Sequence, residues 1–273
     1  MSSTVLALLA AVSMAIAAVF TKRMVGEYPP RQLIGPLLAL NALLVAPLLP
    51  FVRWHFSLTI VLLHVASVAT LVISSWCIFK LFVHGSASAV MVGQAMAPIP
   101  AVLFTALLLA TPVTWPQAVA AGIVSLAVLG AIGGSFGSLP PARAIVLAAT
   151  AATTTGLLIV LTKMLSERGL GVAEIYFVRT SIAATVWLVL ARPRDIPRRA
   201  LPALLTRSSF QTGYYALIIL AVQRGSPATV QTLAATTPLM LLVATFLIRR
   251  RVPPPRLVFA SCAVVLGIAL AVH

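Results

Sequence analysis

The chain has 273 residues, 61% of them hydrophobic and only 8% charged, with 19 Lys+Arg against 4 Asp+Glu. A soluble domain averages roughly 45–50% apolar and about 25% charged residues, and a soluble core cannot absorb such an excess, so the composition excludes an ordinary soluble domain. The formal charge of +15 brings nucleic acid to mind, but the basic residues stand in short breaks between apolar runs. That is the pattern of basic loops beside membrane-spanning helices and argues against a nucleic-acid partner; membrane lipids are the expected surroundings.

Apolar runs between polar breaks predict ten spans, at roughly 3–21, 32–51, 58–83, 87–110, 115–133, 143–165, 173–191, 202–222, 227–248 and 256–272. The runs are too long for barrel strands, and an open sheet cannot satisfy its backbone in lipid, so an all-α integral membrane protein is expected. The first run has no Lys or Arg before it and Lys22-Arg23 after it, unlike a secretory leader, and is retained as a span.

In span three, His64 reads as a hydrogen-bonded structural residue or a proton carrier. Trp76 lines a cavity or sits in the interfacial belt, and Lys80 snorkels. Span four holds Gln94 and is interrupted by Pro98 and Pro100; span nine holds Gln231, Thr232, Thr236 and Thr237 and is interrupted by Pro238. Each proline deprives a carbonyl one turn earlier of its donor, at Gln94, Met96 and Ala234, which makes either a binding site or a simple kink. Gln94 and Gln231 are costly in lipid unless they face a cavity or a partner helix. Thr153, Thr154 and Thr155 in span six, like the threonines of span nine, can return their hydroxyls to their own helix. Span seven places Glu174 five residues before Arg179, which can pair with it or snorkel. Tyr214 and Tyr215 lie inside span eight, with cavity preferred for Tyr214.

The Gly/Ser/Pro-rich stretch around 133–141 divides the chain near its midpoint. Across it, Gly85-Ser86-Ala87-Ser88-Ala89-Val90 resembles Gly225-Ser226-Pro227-Ala228-Thr229-Val230, and Pro98 falls on Pro238 at the same offset of 140; Thr21-Lys22 falls on Thr162-Lys163 at offset 141. Two five-helix repeats are therefore expected, 1–133 and 143–273, joined by a linker at 134–142. An odd number of spans inverts the second repeat relative to the first, with a site at their interface near the midplane. Lys22 and Lys163 hold equivalent positions, as guards of the two mouths or anchors of helix ends.

These features, with Tyr176-Phe177-Val178-Arg179-Thr180-Ser181 in span seven, resemble the EamA-type transporters of the drug/metabolite transporter superfamily. The resemblance implies a secondary transporter working by alternating access on a small-molecule substrate, with amino-acid-like solutes favoured. The glutamates often found after spans four and nine of that family are missing: Ala110-Thr111-Pro112 and Arg249-Arg250-Arg251 stand there. Leu38 falls where the arginine of span seven would repeat. Fourteen of the basic residues fall on one side of the predicted spans and five on the other, which places both termini outside, whereas relatives are usually drawn with both inside. A bacterial inner membrane is the expected location.

Asp195, the only aspartate, lies in a basic loop, and no span carries a central carboxylate. Cation–proton exchange on an intramembrane acid is therefore disfavoured, leaving neutral, zwitterionic or anionic metabolites. Cys77 and Cys262 read as small buried hydrophobes, no metal-ligand spacing occurs, and no cofactor is expected. The paired acids and zinc motif of intramembrane enzymes are missing. A lipid flippase or lipid-binding protein is the alternative, to be favoured by a wide lateral opening; a closed central cavity favours the transporter. A monomer or weak homodimer can enclose the path.

Overall fold

Serine caps and N-terminal prolines open the helices in the computed structural model. It describes residues 1–110, 114–132, 140–191 and 198–241, with single positions 243, 255, 258, 259, 262, 263, 266 and 267. Helix α1 runs Ser3–Glu27, where Ser2 Oγ accepts from Val5 N–H at 3.4 Å. Helix α2, Pro30–Val45, is prolonged by a 3-10 turn, Ala46–Phe51. Helix α3, Leu58–His84, is capped by Ser57, and α4, Ala87–Gln94, by Ser86. Then follow α5 Pro98–Leu109, α6 Trp115–Ile132, α7 Pro141–Ser166, α8 Val172–Ala191, α9 Leu201–Arg224 and α10 Pro227–Ala234. Proline suits the first helical position because the N–H it lacks has no intrahelical partner there. Gly169 turns the chain from α7 to α8 with φ +85°, a conformation that side chains resist.

Among the described residues every regular element is helical. Six segments are long and apolar enough to cross a membrane: Ser3–Glu27, Pro30–Phe51, Leu58–His84, Ala87–Leu109, Ala142–Ser166 and Val172–Ala191. Helix α9 has 24 residues but is more polar, because Arg207, Ser208 and Gln211 are buried in the protein and need no lipid. The run expected at 87–110 is two helices with a break between them. The expected span at 256–272, apart from single positions, and most of the linker at 134–142 lie outside the described residues.

The broadest helix contacts join α1 to α9, α3 to α7 and α2 to α8. Small side chains permit this. Ala7, Ala10, Ala11, Ala17 and Ala18 of α1 are buried, as are Ala144, Ala148, Ala151 and Ala152 of α7, at three- and four-residue spacings that keep each set on one face. Two matching ties hold helix ends. Lys22 Nζ donates to the Phe82 carbonyl at 2.7 Å, and Lys163 Nζ donates to the Val222 carbonyl at 3.2 Å. Both lysines thus serve as anchors at the C-terminal turns of α3 and α9. Helices α4 and α10 are each eight residues long, and their closing alanines match: Ala95 has φ −66° and ψ −3°, Ala235 φ −65° and ψ −5°.

Candidate functional site

The breaks after α4 and α10 are set by proline. Pro98 cannot donate to the Gln94 carbonyl, so α4 stops there; Ala97 N–H donates to it instead at 3.0 Å, in a tighter turn. Pro238 likewise deprives the Ala234 carbonyl, which accepts from the Thr237 hydroxyl at 2.7 Å. Each of these two carbonyls thus has one nearby donor, Ala97 N–H or the Thr237 hydroxyl, which reaches it at little cost. Thr237→Val keeps the shape and removes that donor. It is expected to cost about 1–3 kcal/mol, read as a lower thermal unfolding midpoint in detergent; an unchanged midpoint would show the hydroxyl to be dispensable.

Beside the breaks lies a narrow polar cavity of about 50 Å³. Its polar groups come from Thr21 of α1, Asn41 of α2, Ser75 of α3, Gln94 of α4, Thr155 of α7, and Arg207, Gln211, Tyr214 and Tyr215 of α9. A second chamber of about 20 Å³ shares Gln94, Thr155 and Tyr214 and reaches Gln231, Thr237 and Pro238. The two chambers are neighbours that share part of their walls, one bordered by α2 and α3 and the other by the break after α10.

Of the residues singled out from sequence, Gln94, Thr155, Tyr214, Tyr215, Gln231, Thr237 and Pro238 border these chambers. Pro98 is buried at the start of α5, outside the lining. The Thr236 hydroxyl turns to the Leu233 carbonyl at 2.8 Å, and Thr154 to the Thr150 carbonyl at 2.8 Å. It is Thr155 that faces the cavity, 3.3 Å from Ser74 Oγ on α3. Trp76 stands apart, stacked on Trp187 at 5.6 Å, with Lys80 Nζ 4.8 Å and Arg31 Cζ 5.6 Å from its ring centre.

Glu174 and Arg179 do not pair. Five residues advance a helix by about 140°, so the two point to different faces. Glu174 is buried and accepts from His55 N–H at 3.3 Å. Arg179 does not snorkel: it is 1% exposed, and its Nη2 donates to Thr162 Oγ1 at 2.8 Å. Arg207 makes a similar contact to the equivalent threonine of the first half, its Nε donating to Thr21 Oγ1 at 3.2 Å. Each threonine hydroxyl in turn donates to the carbonyl four residues back, Ala17 or Leu158, at 2.7 Å.

Sequence reasoning missed Arg207, Asn41 and Gln211. The signal was there for α9: Arg207, Gln211, Tyr214 and Tyr215 follow the spacing of one helical face. Asn41 gave a weaker one, as the amide in the middle of an apolar run.

A separate groove of about 430 Å³ lies between α3 and α8. Its walls include Val61, Val65, Val68, Val72, Val178 and Ile182, and Trp54 and Phe56 stack near one end with centroids 6.3 Å apart. His64 and Glu174 are its ionisable lining residues besides His55.

The sequence profile of the EamA-like transporter family matches residues 1–133 and 142–273. The chain belongs to the EamA-like transporter family. That family lies within the drug/metabolite transporter superfamily, which makes this EamA-like chain a multi-pass integral membrane protein and a transporter rather than an enzyme. A crystal structure aligns with 98% of this chain and 95% of its own at a TM-score of 0.75 and 17% sequence identity, a likeness of fold alone. None of the curated proteins compared with the EamA-like chain matches it.

Proposed function

We propose that this EamA-like transporter moves a small metabolite by alternating access through the central cavity between two inverted five-helix repeats, residues 1–133 and 143–273. The observation that carries the reading is the meeting of both proline-broken helices at one polar path, with Gln94 from α4 and Gln231 from α10 on its walls. Broken helices at corresponding places in two repeats are where secondary transporters hold their solutes. Support for the repeats comes from the paired lysine ties, the matching ends of α4 and α10, and a family profile that matches on both sides of the midpoint. The described path is narrower than a metabolite, so the helices around it must separate to load one, and the short helices beside the breaks are the parts able to shift.

Gln94 borders both chambers, and its Nε2 has no partner among the described residues. Gln94→Ala is expected to raise the concentration for half-maximal transport about tenfold, with the folded protein retained. Unchanged kinetics would remove Gln94 from the site.

The apolar groove between α3 and α8 favours a second reading, in which a membrane lipid is the cargo: its walls include the exposed Val61 and Val65 of α3 and Ile182 of α8, two spanning helices. Proteoliposomes separate the two. Saturable counterflow of one solute class, from a panel of amino acids, organic acids, nucleosides and sugar phosphates, supports the metabolite path. No solute movement, together with equilibration of fluorescent lipids between leaflets, supports the lipid path and ends the first reading.

A further inference from the structure

The protein has four acidic residues, Glu27, Glu167, Glu174 and Asp195. Glu27 lies 4.0 Å from Arg23, and Glu167 lies 3.8 Å from Lys163. Glu174 accepts from His55 N–H, and Asp195 falls outside the described residues. Among the described residues, then, no carboxylate pairs with Arg207. Its side chain is buried, the residue being 7% exposed. A guanidinium carries five N–H donors, and among the described residues only Nε–H has a hydrogen-bond partner, Thr21 Oγ1. The side chain borders the cavity. A buried, unpaired cation among spanning helices is costly, and an anion entering the cavity relieves that cost.

The neighbours of Arg207 share the shortage. Asn41 is 1% exposed, and among the described residues neither its Nδ2 nor its Oδ1 has a partner, nor has the Nε2 of Gln94. Both residues line the same cavity. Donors from α2, α4 and α9 therefore converge on one small space into which no acidic residue projects. The remaining walls are largely apolar, with Ile34, Leu38, Leu71 and Ile78 among them. The Phe79 ring lies 5.7 Å from Arg207 Cζ, which keeps one face of the guanidinium dry.

We infer that the solute is an organic monocarboxylate, its oxygens held by Arg207 with Asn41 and Gln94 as further donors and its apolar body against α2 and α3. The inference rests on the central cavity being the transport site, and it narrows the solute class from neutral, zwitterionic or anionic to anionic. A planar guanidinium offers two parallel donors that match the two oxygens of a carboxylate. One guanidinium in the lining matches one negative charge, while an ammonium group would meet a cation and no carboxylate.

The test is calorimetric titration of the purified full chain in detergent with matched acids and amides: benzoate and benzamide, phenylacetate and phenylacetamide, isobutyrate and isobutyramide. At least one acid is expected to bind more tightly than its amide. Arg207→Gln is expected to weaken that acid about thirtyfold or more and leave the amide unchanged, while Arg207→Lys restores part of the loss. A purely structural role for Arg207 would instead weaken both members of a pair alike, and that result overturns the inference. So does the binding of no acid, or of every amide as tightly as its acid. The wild-type comparison decides by itself if Arg207→Gln does not fold. Acid binding without flux in proteoliposomes would remove the transport reading and keep the carboxylate site. Flux of neutral or cationic solutes with no preference for acids would do the reverse.

Discussion

Gly156→Ala is expected to lower the thermal unfolding midpoint by about 5–10 °C and to abolish uptake in proteoliposomes. Gly156 lies in α7 where that helix meets the start of α5. A methyl group there would stand 2.7 Å from Ala101 N, 3.0 Å from the Ala97 carbonyl oxygen and 3.1 Å from Pro100 C. All three are backbone atoms, so no side-chain rotation makes room. The helices must part, or the break between α4 and α5 must move. The ordinary effect of this substitution inside a helix is the opposite, a gain of about 1 kcal/mol from backbone entropy. The sign of the shift therefore reports the contact. Gly122→Ala in α6 is the comparison, because a Cβ there meets nothing within 4 Å. It is expected to leave the midpoint unchanged or slightly raised. Equal behaviour of the two variants in thermal denaturation would mean that the close approach at Gly156 does not matter.

Lys22→Met is expected to destabilise the fold by about 1.5–3 kcal/mol, the range of a charge-assisted hydrogen bond. The ammonium donates to a carbonyl in the last turn of α3, where the helix presents carbonyls without intrahelical donors and the negative end of its dipole. Methionine keeps the length and apolar stem of lysine, so the change isolates the bond. Lys163→Met should act in the same direction but less. Its bond to Val222 is longer, 3.2 Å against 2.7 Å, and the half-exposed ion pair with Glu167 at 3.8 Å adds too little to reverse the order. Denaturation of both variants in the same detergent gives the order directly. An equal loss, or none, would show that the ties are incidental to stability.

The helices were legible because lipid imposes one rule: a segment without internal hydrogen bonds cannot cross, so long apolar runs become helices. The breaks at Pro98 and Pro238 were legible for a backbone reason as well, since proline has no N–H to give. The fate of the freed carbonyls was not. It depends on whether Ala97 N–H and the Thr237 hydroxyl come within reach, and that is local geometry rather than composition. Side-chain direction was the other gap. Thr154 and Thr155 are chemically alike and adjacent, yet one bonds its own helix and the other faces the cavity, because neighbours on a helix point about 100° apart. A count of basic residues by side takes Arg207 as a loop charge that orients the chain, although it lies in α9 and is buried. Charge counting treats every arginine near a span end as solvated. Only the packing of α1 against α9 shows that this one turns inward, toward Thr21.

Alternating access through the central path is tested most directly by a single thiol placed on it. Ala95 borders the chamber between the two breaks and is 2% exposed. Ala95→Cys, in a chain with Cys77→Ala and Cys262→Ala, is to be exposed to a membrane-impermeant maleimide in right-side-out and in inside-out vesicles. Modification from either face, slowed by a solute that the proteoliposome panel shows to be transported, is the expected result. Modification from one face alone, however long the exposure, would contradict a path that opens to both sides in turn.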